Sequence, residues 1–287
     1  MIRFFDGGMG SMLNLAAGEL PEKLNISEPE RVFAVHKGYA DAGAEFITAN
    51  TFGANSLKYD NVDELVKAGV ALAKKAGKYV ALDIGPTGKL LKPMGDLEFE
   101  RAVELFAEVV RAGKDGSDVA IIETMSDMYE LKAAVIAVKE NSDLPIITSM
   151  IFDESGRLLT GGDVKSAVAM LEGLRVDAIG FNCGLGPKQM IPLVKELREC
   201  TSLPILVMPN AGLPESVDGK TVYNVSPDEF AQDMREIAKL GVSILGGCCG
   251  TTPKHIAKMI ELCKDIPDNV PEKKNDAVVC SYSSLSL

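Results

Sequence analysis

The sequence has no tryptophan, and His36 and His255 are its only histidines. No stretch approaches the roughly 18 uncharged apolar residues that a membrane-spanning helix needs. Basic residues are in deficit: 30 Lys and Arg stand against 41 Asp and Glu, a formal net charge of −11. Nucleic acid and anionic membrane surfaces both call for a basic face, so neither is an expected partner, and a small molecule is the expected ligand. The opening MIRFFDGGMG reaches Asp6 after two aromatic residues, without the apolar run of a secretory signal, so the expected location is cytoplasmic. The G-x-G-x-x-G and G-x-x-x-x-G-K-[ST] patterns are missing too, which argues against an open nucleotide-binding sheet.

What is present is ample material for a core, with 46% hydrophobic and 25% charged residues. Eight short apolar runs, rich in β-branched residues and too brief for buried helices, recur along the chain. They are RFFDG near 3, EFITAN near 45, YVALDIG near 79, DVAIIET near 118, PIITSMI near 145, DAIGFNC near 177, PILVMPN near 204 and VSILGGC near 242. Their starts lie roughly 27 to 42 residues apart, the size of one strand–helix unit. Helix starts are signalled between them by Ser27 with Glu30, by Ser226-Pro227 with Glu229, and by Thr252-Pro253. Consistently apolar strands imply a sheet buried on both faces, so the expected fold is a single (β/α)8 TIM barrel over residues 1–264. Residues 265–287 turn to Pro, Asn, Lys and Ser and are expected to form a short C-terminal tail or linker.

In such a barrel the chemistry sits where the strands end. The strand-closing residues are Asp6, Asn50, Asp83, Glu123, Cys183, Asn210 and the pair Cys248-Cys249. Cys183 and Cys248 are 65 residues apart, yet three cysteines are expected at one mouth. Soft thiolates are what Zn2+ selects, and three protein ligands leave a fourth position for water or substrate. Gly246, Gly247 and Gly250 around the pair would let two successive side chains turn inward, which a regular strand forbids. Cys200, Cys263 and Cys280 fall away from this mouth and are expected as small core thiols. His36 and His255 lie within helices and are expected to have surface or packing roles. Asp6 and Glu123 are mouth carboxylates suited to an ammonium group, to acid–base work, or to capping loop amides. The long NAGLPESVDGKTVYNV connection is either a lid or a disordered insertion.

With these residues in view, the chain resembles the homocysteine S-methyltransferase family. The similarity runs through FFDGGMGSML, ITANTFGAN, ALDIGPTGKLL, IIETMSD, GFNCGLGP, VMPNAGLP and GGCCGTTPKHI, about residues 3 to 262. It is nearest in motif to the homocysteine-binding barrel of the cobalamin-dependent methionine synthases. Gly250 after the cysteine pair differs from the GCCRTTP of S-methylmethionine-dependent members, and Thr251-Thr252-Pro253 differs from betaine-dependent ones. The resemblance implies Zn2+ on Cys183, Cys248 and Cys249, with Asn210 as a labile fourth ligand. It implies that Asp6 and Glu123 hold the homocysteine amino group, near the backbone at Gly7 and Gly8. It further implies methionine formation with methylcobalamin or another corrinoid as methyl donor. That donor would be carried by a corrinoid-binding protein or domain, with a folate-binding domain as a further module. An S-methylmethionine or betaine donor, or a non-catalytic zinc- or thiol-binding module of a methyl-transfer complex, is the alternative.

Overall fold

The computed structural model describes residues 1–15, 18–217, 220–267 and 278–286. Eight parallel strands form one sheet: β1 (Arg3–Phe4), β2 (Phe46–Thr48), β3 (Tyr79–Ile84), β4 (Val119–Met125), β5 (Ile146–Met150), β6 (Ala178–Asn182), β7 (Ile205–Met208) and β8 (Ile244–Leu245). All eight coincide with the apolar runs of the sequence. Their order is β1-β8-β7-β6-β5-β4-β3-β2. The ends of this sheet meet: Phe5 bridges to Phe46 in parallel, and the Glu45 amide donates to the Phe4 carbonyl at 2.8 Å. The result is the (β/α)8 barrel.

Two apolar layers follow from the alternation of side chains along a strand. Phe5, Ala81, Val119, Ile121, Ile147, Ala178, Leu206 and Met208 pack together inside the barrel. Their neighbours, such as Val80, Leu82, Ala120, Ile122, Ile179 and Val207, pack outward against the helices. The inward register then dictates what reaches the mouth. Two residues after Ala81 comes Asp83, two after Ile121 comes Glu123, two after Ile147 comes Ser149, and Asn182 follows Ala178 by two such steps. The Phe5, Phe46 and Tyr79 rings stack in turn, 4.8 and 5.0 Å between centroids, and the Arg3 guanidinium lies over Phe46 and Tyr79.

The covering helices are α1 (Pro29–Asp41), α2 (Val62–Ala76), α3 (Phe99–Gly113), α4 (Met128–Asn141), α5 (Val164–Gly173), α6 (Pro187–Cys200), α7 (Pro227–Ala238) and α8 (Pro253–Cys263). Ser226 and Glu229 form the expected capping box on α7, and Thr252 forms one with His255 on α8. The expected Ser27–Glu30 box does not form. Ser27 closes a short preceding helical turn and donates to the Lys23 carbonyl, so Pro29 starts α1 and Glu28 precedes it.

Cys263 is fully buried and Cys200 is half-buried against the core, as expected of core thiols. Cys280 is instead exposed: it lies in an antiparallel hairpin of Val278–Cys280 with Ser284–Ser286, outside the packed layers. That hairpin rests on the barrel through Tyr282, edge-on to Tyr129 at 5.4 Å. The rest of the expected tail, 268–277 and 287, lies outside the described residues. The long connection after β7 is ordered into a hairpin of Glu215–Val217 with Lys220–Val222. Among the described residues, no helix is long and apolar enough to cross a membrane.

Candidate active site

The mouth is assembled by the first and last strands meeting. The Gly247 amide donates to the Asp6 carbonyl at 2.9 Å, and the Cys248 amide donates to the Pro209 carbonyl at 2.9 Å. Cys183 leaves β6 in a left-handed conformation, φ 59°, followed by Gly184 at 69°, and the Cys183 amide is tied to the Met208 carbonyl at 3.1 Å. Such a conformation is uncommon for a residue with a Cβ and persists only where its surroundings hold it. The outcome is convergence. Cys183 and Cys249 sulfurs are 3.8 Å apart, Cys248 and Cys249 sulfurs 4.0 Å, and all three lie within 4.8 Å of one another.

A tetrahedral ion with about 2.3 Å metal–sulfur bonds holds its sulfurs roughly 3.8 Å apart, so this thiol set fits Zn2+ with little movement. A second observation agrees with an open fourth position. Asn210 is buried, and its Oδ1 has no hydrogen-bond partner, an uncommon and costly state for a buried polar atom. Its backbone amide donates to the Leu185 carbonyl, while the next residue, Ala211, donates to the Cys249 carbonyl at 3.0 Å.

Asp6, Gly7, Gly8, Glu123, Cys183, Cys248 and Cys249 all line one cavity of about 350 Å3. Asn210 is not part of that lining, although its chain neighbours touch both cysteine segments. Asp83 adds a third carboxylate to the wall, and Phe52 a half-exposed apolar rim. Asp6 is gripped by Thr48, whose hydroxyl donates to Oδ1 at 2.7 Å and whose amide donates to Oδ2 at 2.9 Å. Burial nonetheless pushes its carboxyl up to about 7 against those hydrogen bonds. Burial, then the charges of Asp6 and Cys249, push Glu123 up to about 8. Asp83 is raised by burial, then by Glu123, Asp6 and Glu22, and its Oδ1 has no partner. A pocket of crowded carboxylic acids is short of one positive charge. The thiols are polarised in turn: hydrogen bonds from Cys183 and Cys248 bring Cys249 down to about 3.

Gly7 and Gly8 form the floor of the first loop. The Gly8 amide is engaged by Thr251 Oγ1 at 3.1 Å, and that hydroxyl donates to the Cys248 carbonyl at 2.6 Å. A Cβ on Gly8 would stand 2.7 Å from the Cys248 carbonyl oxygen, so only glycine lets the two segments lie this close. Buried Tyr39 from α1 stitches them further, donating to the Gly8 and Thr251 carbonyls at 3.2 and 2.9 Å.

Sequence reasoning left three contributors without a role. Asn182 donates to Thr124 Oγ1 at 2.7 Å and to Glu123 Oε2 at 3.3 Å, and it lies 3.9 Å from Cys248 sulfur. Its place beside Cys183 on the inward register of β6 was the available signal. Thr48 and Tyr39 offered no comparable pattern, since their contacts cross between elements apart in the chain. The histidines stay away from the mouth. His36 is fully buried in α1, and His255 bridges Thr252 and the Val225 carbonyl.

The molecule is thus a parallel (β/α)8 barrel that gathers three thiols and the carboxylates of Asp6, Asp83 and Glu123 at its carboxyl mouth. Comparison with known proteins gives its family. The homocysteine S-methyltransferase family model matches residues 3–263. The methionine synthase of Mycobacterium leprae (strain TN) is 32% identical over 294 residues, covering 91% of this chain and 24% of that protein. That of Mycobacterium tuberculosis (strain ATCC 25618 / H37Rv) is 32% identical over 285 residues, covering 88% and 24%. The chain thus spans about a quarter of the length of these relatives. Among solved structures, the homocysteine methyltransferase MmuM from Escherichia coli superposes in its metallated form with a TM-score of 0.76 at 23% identity, covering 90% of this chain and 95% of that one. Its apo form gives 0.74 at 25% identity, covering 91% and 95%. The chain belongs to the homocysteine S-methyltransferase family of enzymes.

Proposed function

We propose that this chain is a zinc-dependent homocysteine S-methyltransferase, or the domain of a larger enzyme that performs this step, forming methionine with a corrinoid-borne methyl donor. The observation that carries the proposal is the convergence of Cys183, Cys248 and Cys249 within 4.8 Å on a cavity walled by Asp6 and Glu123. The three thiolates would hold Zn2+, with Asn210 as the labile fourth ligand. Bound there, the ion supplies a soft Lewis acid that keeps an incoming thiol ionised at neutral pH while three thiolates leave that sulfur electron-rich.

The protein's own residues then fix the amino-acid end. Asp6 and Glu123 take the ammonium group, which supplies the positive charge that their raised proton affinities lack. Gly7 and Gly8 border the substrate's main-chain end, and Thr48 and Asn182 hold the two carboxylates in place. Anchored so, the homocysteine sulfur faces the open mouth. There it would be placed for in-line attack on a donor's methyl carbon, and a corrinoid carrying that methyl would supply a leaving group able to keep the electron pair of the broken bond.

The curated relatives are methionine synthases, which favours methylcobalamin over S-methylmethionine or betaine as the methyl source. On this reading residues 1–264 are the homocysteine barrel, 265–287 a tail or linker, and the partners a corrinoid-binding and a folate-binding module. Free thiols at the mouth suit a reducing, cytoplasmic setting. The deciding experiment mixes zinc-loaded protein, homocysteine and methylcobalamin without oxygen and follows corrinoid demethylation by absorbance. Conversion that vanishes on zinc removal is expected. No conversion with zinc bound would redirect the search to another donor or to an obligate partner.

A further inference from the structure

Four carboxylates line the cavity, those of Asp6, Glu22, Asp83 and Glu123, and no lysine, arginine or histidine is among its lining residues. Three of the four are engaged by the protein itself. Thr48 holds both oxygens of Asp6. Glu22 accepts from the Gly53 amide on one oxygen and from the Tyr59 hydroxyl on the other, and Asn182 donates to Glu123 Oε2 at 3.3 Å. Asp83 differs. It is only 5% exposed, yet its Oδ1 accepts no hydrogen bond. A buried carboxylate oxygen in this state costs the free protein stability and is ready for a donor that a ligand brings.

The fold puts this oxygen where a substrate cation would lie. Asp83 is two residues beyond Ala81, which packs inside the barrel, so its side chain keeps the inward direction and lines the cavity. Its strand, β3, stands between β2, whose Thr48 grips Asp6, and β4, which carries Glu123. The Thr51 hydroxyl donates to the Asp83 main-chain carbonyl at 2.8 Å and pins the strand end. Asp6, Asp83 and Glu123 thus follow one another around one side of the mouth. A primary ammonium group carries three N–H donors, one for each of them. We infer that Asp83 is a third substrate-binding carboxylate, taking the ammonium N–H that Asp6 and Glu123 leave over and so making the site selective for a primary amine. The inference rests on the homocysteine reading above. An analogue that leaves this oxygen unmet keeps the penalty of an unpaired buried acceptor, which is how polar pockets discriminate strongly.

The test is a calorimetric titration of the zinc-loaded wild-type chain and of Asp83→Asn, which keeps the shape of the side chain and removes its charge. The ligands are homocysteine and γ-mercaptobutanoate, which has the same thiol and carboxylate but no amino group. Asp83→Asn is expected to bind homocysteine roughly 10- to 100-fold more weakly, the equivalent of one hydrogen bond to a charged group. It should bind γ-mercaptobutanoate as well as wild type does, or better, because a negative charge has gone from the wall. Asp83→Ser, smaller and neutral, should show the same split between the two ligands. Wild-type affinity for homocysteine in both variants would overturn the role of Asp83 while leaving the homocysteine reading standing. So would an equal loss for both ligands in both variants, the mark of a residue that only supports the structure. A zinc-loaded wild-type chain that binds no homocysteine would overturn the homocysteine reading and this inference with it.

Discussion

The Gly247 amide donates to the carbonyl oxygen of Asp6 at 2.9 Å, joining the end of the last barrel strand to the end of the first. Through this one bond the cysteine pair and a carboxylate from the opposite end of the chain share a wall. Gly247 has no room for a side chain, since a Cβ would meet Thr251 Oγ1 at 2.6 Å. The Thr251 hydroxyl in turn spans Gly8 and Cys248. The site is a closure device as much as a pocket.

If the thiols form one metal centre, Cys248→Ala should lower zinc from about one ion per chain to near zero, because two thiolates leave the site short of its ligand set. Cys263→Ala removes a thiol buried in α8 and should keep the ion, at a modest cost in stability. Elemental analysis after dialysis against a weak chelator separates the two. Full methyl transfer by a zinc-free Cys248→Ala protein would sink the mechanism.

The close approach of the first loop predicts a contrast between two glycines. Gly8→Ala drives a Cβ against the Cys248 carbonyl oxygen, whereas a Cβ on Gly10 meets nothing within 4 Å. Gly8→Ala should cost about 1–3 kcal/mol, as overpacking does. Displacing the cysteine segment should also slow methyl transfer on the order of 100-fold. Gly10→Ala should behave as wild type in denaturant titration and in turnover. Equal behaviour of the two variants would show that the loop yields freely.

Much of this was legible beforehand because barrel strands announce themselves twice, by apolar content and by what closes them. Val119, Ile121 and Glu123 illustrate the point: the alternation that buries two residues inside the barrel also delivers the third to the mouth. Cys183, Cys248 and Cys249 were read from what closes their strands and not from the alternation, since Cys183 follows inward-facing Asn182 and leaves the strand in a left-handed conformation. Tyr39 was not legible, because it packs into the space left by Gly7 on another element. The Ser27–Glu30 cap misled for a local reason. Pro29 restricts the residue before it and starts the helix two positions later, so the serine is spent on the preceding turn.

Proton release on homocysteine binding should depend on pH in a defined direction. Asp6 at about 7 and Glu123 at about 8 hold protons in the free protein at pH 6. An ammonium group between them favours the ionised forms, so binding at pH 6 should expel carboxyl protons in addition to the thiol proton. At pH 9 both carboxyls have already ionised, and only protons still on the thiol remain to be lost. Calorimetry in buffers of different ionisation enthalpy measures the count. More than one proton released at pH 6, declining through pH 7–8, is expected. A constant count would show that neither carboxyl meets the ammonium.

Stability carries a separate pH signature from His36. Its ring is fully buried in α1, neither nitrogen has a partner, and burial lowers its pKa from 6.5 to about 4. Below pH 6.5 the unfolded chain takes up a proton that the folded chain refuses until about pH 4, so the contribution of His36 is complete above 6.5 and lost as pH falls through that window. Asp6 and Glu123 act in the opposite sense. Their folded pKa values are raised, so the folded chain binds the extra protons and their contribution is lost as pH climbs toward 7 and 8. The wild-type profile is therefore a partial cancellation at acid pH, and His36→Leu isolates one side of it. Leucine keeps the site apolar and adds no titrating group, so the stability of His36→Leu relative to wild type should rise by roughly 2 kcal/mol between pH 8 and pH 5. Urea unfolding at the two pH values reads this difference. A pH-independent gap would mean that His36 accepts its proton without unfolding, through a partner or water reaching the ring, and the buried neutral histidine would have to be abandoned.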